Sequence, residues 1–132
     1  MRYLLDTDII SDLMRNPAGP AASQVRRVGD GNVCTSIVVA CELRYGCAKK
    51  ESAALTTRVD AVLATIPVLA MDLPADAAYG AIRAELEAAG RTIGHNDLLI
   101  AAHAVTLGAV LVTGNTGEFE RVPGLTIENW LT

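Results

Sequence analysis

Three carboxylates that lie far apart in this sequence stand in apolar surroundings. Asp6 follows the apolar run Tyr3–Leu5, Glu42 is the only acid in the apolar segment 37–45, and Asp97 precedes a nearly unbroken apolar run. A lone acid among apolar residues is costly without a partner. Oxygen ligands without His or Cys suit Mg²⁺ or Mn²⁺, and such an ion in an acidic pocket can support phosphodiester hydrolysis. The three acids are therefore candidate ligands and catalytic groups of a metal-dependent hydrolase.

The surrounding sequence predicts short apolar strands that alternate with helices. The expected strands are 3–5, 33–35, 67–71, 109–113 and an edge strand at 125–127. The expected helices run from a turn at 6–7 to the residues before Pro17, then over 21–28, 37–45, 53–66 and 75–89, from about 94 onward, and briefly after 115. This order predicts a single domain, 1–132, with an α/β fold: a three-layer α/β/α sandwich around a mostly parallel sheet of four to five strands.

The carboxyl edge of that sheet is where ligands bind in such folds. Asp6 ends the first strand, and Asn115 and Glu118 follow the fourth. Crossover helices run antiparallel to the strands, so their first turns return to this edge and place Asp97 beside Asp6. Glu42 lies about two turns, roughly 9 Å, into its helix, and its side chain leans back toward the helix start. We therefore expect these side chains to meet.

Further residues are weaker candidates for the same site. Asp8 is close enough to Asp6 to help bind a metal ion through water, although it is also spaced to cap or line the first helix. Thr113, at the end of the fourth strand, is a supporting candidate together with Asn115 and Glu118. Arg44, Arg83 and His95 are candidate contacts to a substrate or partner. The alternative interpretation is that each is an ordinary solvated surface residue. Helical phase turns His103 away from Asp97, which predicts a core or interface histidine.

Composition limits the classes of function. A net charge of −4 opposes binding of nucleic acid by charge alone, a penalty that two divalent ions would offset. The 3 cysteines are odd in number and lack Cys-x-x-Cys spacing, which fits reduced thiols in a cytoplasmic protein. The longest apolar stretch, 98–112, is interrupted and falls short of a membrane span, and the first residues are charged too early for a signal peptide. We expect a cytoplasmic protein without a membrane anchor.

With these residues identified, the chain resembles the PIN-domain ribonucleases, and among them the VapC-type toxins of bacterial toxin–antitoxin pairs. The resemblance runs nearly from end to end and is carried by Leu4–Ser11, Cys41–Gly46, Ile93–Ala104, Leu111–Phe119 and Val122–Leu125. It implies Mg²⁺-dependent cleavage of RNA within the strand, with Mn²⁺ as a substitute. It also implies a homodimer, a cognate VapB-type antitoxin that inserts its tail into the acidic groove, and assembly into a larger hetero-oligomer. Transfer RNA is the substrate that the resemblance favours.

The resemblance assigns the metal-binding acids of the family to Asp6, Glu42 and Asp97. Asn115 stands where many members carry a fourth Asp, so a second metal ion is expected to bind more weakly. Gly114 and Gly117 replace residues that are often Asn and Arg in close relatives. His95 occupies a position where a small residue or proline is more usual, which would alter substrate preference. Asn96 is the candidate cap of the helix that begins near residue 94, since Asp97 is assigned to the metal site.

Two other functions remain open at this stage. The spacing of Asp6 and Asp8 also opens the motif of haloacid-dehalogenase-like phosphatases, in which Asp6 would be a nucleophile. Ile10 and the lack of a suitable lysine oppose that interpretation. A PIN-like module that binds RNA or a partner without catalysis is the third hypothesis, although an acidic groove repels phosphate unless metal is present.

Overall fold

The computed structural model describes residues 1–132 and contains five strands and seven α-helices. The strands are β1 (Tyr3–Leu5), β2 (Val33–Ser36), β3 (Val68–Leu69), β4 (Val110–Val112) and β5 (Ile127–Glu128). The helices are α1 (Thr7–Arg15), α2 (Pro20–Val28), α3 (Ile37–Lys50), α4 (Ala53–Thr65), α5 (Ala75–Ala88), α6 (His95–Leu107) and α7 (Thr116–Phe119). The predicted α/β architecture is confirmed.

All five strands are parallel and lie in the order β3-β2-β1-β4-β5. Leu4, Leu5 and all of β4 are buried. Since successive strand residues point to opposite faces, helices must cover both faces of the sheet, which accounts for the three layers. The chain builds the sheet outward from β1 in one direction and then returns to add β4 on the other side. A crevice therefore opens between the carboxyl ends of β1 and β4, where open α/β sheets bind ligands.

Several element boundaries differ from the predictions. Helix α1 begins at Thr7, directly after Asp6, where the sequence had predicted a turn. Helix α3 continues to Lys50 instead of ending near residue 45. The reason is a buried stripe at four-residue spacing, Val39, Leu43 and Cys47, which packs beyond the glycine at 46. Strands β3 and β5 are each only two residues long.

The core histidine predicted at residue 103 is confirmed. His103 is 1% exposed, and its Nδ1 lies 2.8 Å from the Ser36 hydroxyl, which also accepts the Val38 N–H at the start of α3. Burial lowers the pKa of His103, which keeps the ring neutral at physiological pH. This contact joins α6 to the end of β2. No helix of the chain has the length and apolarity needed to cross a membrane.

Candidate functional site

A polar pocket opens at the crevice between β1 and β4. Its volume is about 430 Å³, and none of its lining residues is hydrophobic. The lining residues come from α1, α3, α6 and the segment after β4: Asp6, Thr7, Asp8, Ser11, Arg15, Glu42, Asp97 and Asn115. The three acids singled out from the sequence thus line one pocket, although 91 residues separate the first from the last.

Asp6 is the most deeply buried acid of the pocket, with 7% of its surface exposed. Its Oδ1 accepts the Thr7 N–H at 2.8 Å, which caps α1, and its Oδ2 accepts the Thr113 hydroxyl at 2.8 Å. Burial raises the pKa of Asp6 to about 6, against the lowering effect of these two bonds. Nearby Asp8 and Glu42 raise it further. Ionised Asp6 is therefore held in place but poorly compensated in charge.

Glu42 joins three helices at the pocket. Its Oε1 accepts the Thr7 hydroxyl at 2.6 Å, and its Oε2 accepts the Asn96 side-chain amide at 3.3 Å. Neither donor was predicted for this role. The expectation that Asn96 caps α6 was wrong, because Gly94 occupies the cap position without a side-chain hydrogen bond. Asn96 instead faces Glu42, since α3 packs against α6.

Asp97 lies in the first turn of α6 beside the segment after β4. Burial, followed by the neighbouring Glu118 carboxyl, raises the pKa of Asp97 to about 7. Glu118 accepts the Gly94 N–H at 2.6 Å and the Asn115 amide at 2.8 Å, and these donors hold its own pKa below the usual range. The two pKa values therefore move in opposite directions, and the raised one belongs to Asp97, the more buried partner without a backbone N–H donor. The Asn115 amide is also 3.5 Å from Asp97 Oδ2.

Asp8 contributes a carboxylate oxygen that lacks any partner. Its Oδ2 accepts the Gly114 N–H at 2.8 Å, while its Oδ1 is buried without a hydrogen bond. A Cβ at 114 would lie 2.7 Å from Asp8 Oδ2 and 2.6 Å from Leu131 Cδ1, so a larger residue there would require both of these side chains to move. The segment after β4 thus passes close to α1. At Gly117, by contrast, a side chain would meet nothing within 4 Å.

The donors of the pocket fit a hard divalent cation. The acidic side chains that line it are all Asp or Glu and offer only oxygen ligands, which such a cation prefers. Two of these acids, Asp6 and Asp97, have raised pKa values, and Asp8 has a buried oxygen without a hydrogen-bond partner. Each carboxylate is turned toward a hydrogen-bond donor, and no three His, Cys, Asp or Glu side chains already form a metal-binding group. Direct binding of an ion would draw these carboxylates closer together.

Comparison with known proteins assigns the chain to a family. The PIN-domain family model matches residues 3–125. "tRNA(fMet)-specific endonuclease VapC" of Shigella flexneri is 39% identical, and "Ribonuclease VapC2" of Rickettsia felis is 36% identical, each over 98% of both chains. The solved structure of Rickettsia felis VapBC2 bound to a promoter DNA fragment superimposes with a TM-score of 0.91 at 34% identity, covering 98% of this chain and 99% of that one. The chain belongs to the VapC family of PIN-domain ribonucleases.

This membership confirms the predicted family, and it favours a ribonuclease over the phosphatase alternative. Arg44, Arg83 and His95, the candidate contacts to a substrate or partner, do not line the acidic pocket. Arg44 forms an ion pair with Asp60. Arg83 and the exposed His95 line a separate cavity of about 240 Å³ between α5 and α6.

The cation that lines the acidic pocket is Arg15, which the sequence analysis missed. It ends α1 on the same face as Thr7 and Ser11, at a spacing of four residues. That spacing was available in the sequence as a signal. Thr7 was missed in the same way.

Proposed function

We propose that this VapC-family chain is a Mg²⁺-dependent endoribonuclease, that Mn²⁺ can replace Mg²⁺, and that Asp6, Glu42 and Asp97 are its metal-binding and catalytic acids. The observation that carries the proposal is the convergence of these acids in a pocket without apolar lining, where two of them have raised pKa values. Carboxylates that are this poorly compensated favour a bound cation. The family assignment supports the same chemistry.

A bound divalent ion would activate water for attack and stabilise negative charge on the phosphate oxygens. The chain's own residues hold the ligands ready for that role. Thr7 fixes both Asp6 and Glu42, because its N–H bonds the first carboxylate and its hydroxyl the second. Thr113 holds the other oxygen of Asp6. Such bonds to ligating groups fix their orientation and tune their basicity.

Asp8, Asn115 and Glu118 support this arrangement in the proposal. Asp8 would help to bind the ion through a water molecule, and one of its carboxylate oxygens has no other hydrogen-bond partner. Asn115 places a neutral amide within reach of Asp97 and Glu118, so the pocket gains a donor in place of another negative charge. A bound cation would favour the ionised form of Asp97 and so lower its raised pKa.

Transfer RNA is the proposed substrate, and cleavage in the anticodon region is the proposed outcome. Two relatives support this choice by name: the Shigella flexneri protein and one from Salmonella typhimurium, 33% identical over 98% of both chains, are each called a tRNA(fMet)-specific endonuclease. The proposed partner is a VapB-type antitoxin, which the similarity to the VapBC2 complex supports, and we propose that its tail enters the acidic pocket. A homodimer, assembly into a toxin–antitoxin hetero-oligomer and a cytoplasmic location complete the proposal.

Incubation of the purified protein with a tRNA(fMet) transcript tests the catalytic part. We expect cleavage within the strand in Mg²⁺ and Mn²⁺, none in EDTA, and none with Asp97→Asn. Asp30→Asn, at an exposed acid outside the pocket, is the matched control and should cleave like the wild-type protein. Full activity in EDTA would refute the metal mechanism. Binding of RNA without cleavage in either metal would instead indicate the non-catalytic module.

A further inference from the structure

The acidic pocket continues into a groove between α1, α3 and α4. This groove has a volume of about 300 Å³. Thr7, Ser11, Arg15 and Glu42 line both the pocket and the groove, so the two form one continuous depression. A chain-like ligand that lies in the groove therefore enters the pocket directly.

Three cations line this groove: Arg15 at the end of α1, Lys50 at the end of α3 and Arg58 on α4. All three are exposed. The Arg58 guanidinium donates to the Met14 carbonyl at 3.3 Å, which holds it over the groove.

None of the three cations forms an ion pair. The chain contains only two ion pairs, Arg44 with Asp60 and Arg83 with Glu87, and both lie outside the groove. The groove therefore has a local excess of positive charge, although the net charge of the chain is −4. They create a positive field next to an acidic pocket.

We propose that this groove binds the sugar–phosphate backbone of the RNA on one side of the cleaved bond, with Arg15, Lys50 and Arg58 as phosphate contacts. The inference rests on the proposed ribonuclease function. A strand that is cut internally must continue on both sides of the pocket. The rim formed by Asp97 and Glu118 repels phosphate, whereas the groove attracts it.

The floor of the groove is apolar and consists of Met14, Leu43, Leu55 and Val59. An acidic amphipathic helix would also fit such a floor with a cationic rim. The three cations favour RNA, because none of them has an acidic partner in the chain and a phosphodiester backbone carries a negative charge at every nucleotide.

The test compares a triple variant, Arg15→Gln, Lys50→Gln and Arg58→Gln, with a control triple of equal charge change. The control is Lys49→Gln, Arg26→Gln and Arg91→Gln, at three exposed cations that do not line the groove. Lys49 and Lys50 are the most closely matched pair of variant and control, because they are adjacent on α3. Lys50 lines the groove, whereas the Lys49 Nζ lies 6.0 Å from the centre of the Tyr45 ring. The substrate is the tRNA(fMet) transcript in Mg²⁺.

The measured quantity is the slope of log kcat/KM against log salt concentration. Each lost phosphate contact reduces the magnitude of this slope by about 0.7, or about 2 for the triple variant. Each contact therefore contributes about a fivefold increase in kcat/KM when the salt concentration is lowered from 1 M to 0.1 M. We expect the groove triple to raise KM with kcat and melting temperature nearly unchanged, while the control triple follows the wild-type protein.

Each remaining outcome overturns the inference in a distinguishable way. Cleavage by the groove triple with wild-type KM and slope refutes the RNA contacts and leaves the proposed function intact. An equal loss in the control triple assigns the effect to overall charge. Unchanged RNA kinetics with weaker binding of a purified acidic antitoxin assigns the groove to that partner. A wild-type protein that cleaves no RNA refutes the proposed function and, with it, this inference.

Discussion

The free energy of ionising Asp6 gives a quantitative test of the site. The pKa of Asp6 is about 6, against 3.8 for an ordinary aspartate. Since each tenfold change in proton affinity is worth about 1.4 kcal/mol, ionised Asp6 lowers the free energy of unfolding by about 3 kcal/mol. Asp6→Asn removes that cost. Asn is an equally good helix cap, and its carbonyl oxygen can still accept the Thr7 N–H.

The direction in which pH changes the free energy of unfolding follows from proton binding to Asp6 in the folded and unfolded states. Between pH 3.8 and about 6 the folded protein holds a proton on Asp6 that the unfolded chain has released. The free energy of unfolding therefore falls as pH rises through this window, and the whole cost is present above it. We expect Asp6→Asn to be more stable than the wild-type protein by about 3 kcal/mol at pH 7.5 in EDTA. The advantage should vanish below about pH 4.

Urea unfolding in EDTA at several pH values measures this difference, with Asp30→Asn as the exposed control. The same variant should lose RNA cleavage and gain little stability from added Mg²⁺. That combination, higher stability with lost activity, is expected when a functional carboxylate is held in an unfavourable environment. Equal or lower stability of Asp6→Asn at pH 7.5, or a difference that does not change with pH, would refute the reasoning.

Three further predictions follow from other contacts. Thr7→Val removes the 2.6 Å bond to Glu42, so we expect metal affinity and activity to fall by about 10- to 100-fold in a Mg²⁺ titration of cleavage, whereas the exposed Thr57→Val should have no effect. Gly114→Ala places a Cβ 2.7 Å from Asp8 Oδ2 and should lower the free energy of unfolding by about 1–3 kcal/mol in urea. Added Mg²⁺ at 100 times its Kd should raise the free energy of unfolding of the wild-type protein by about 2.7 kcal/mol over EDTA, and no shift would argue against a metal site.

The sequence predicted much of the fold because its strands and helices have clear periodicity. Alternation of short apolar runs with amphipathic helices is typical of a parallel sheet, and the ends of those runs placed Asp6 and Asn115 at the carboxyl edge. The end of α3 was predicted too early, because Gly46 is a weak signal compared with the buried stripe that continues past it. Tertiary packing overrides local propensity in such cases.

By itself, then, the sequence determined the residue types of the site, the strand and helix ends that carry them, and the family to which the chain belongs. Only the tertiary structure decided which side chains contact one another. Glu42 bonds Thr7 and Asn96 across 35 and 54 residues, and Arg15 rather than Arg44 reaches the pocket. Periodicity defines the face of a helix on which a side chain lies, but the neighbour of that face is set by how helices pack on the sheet.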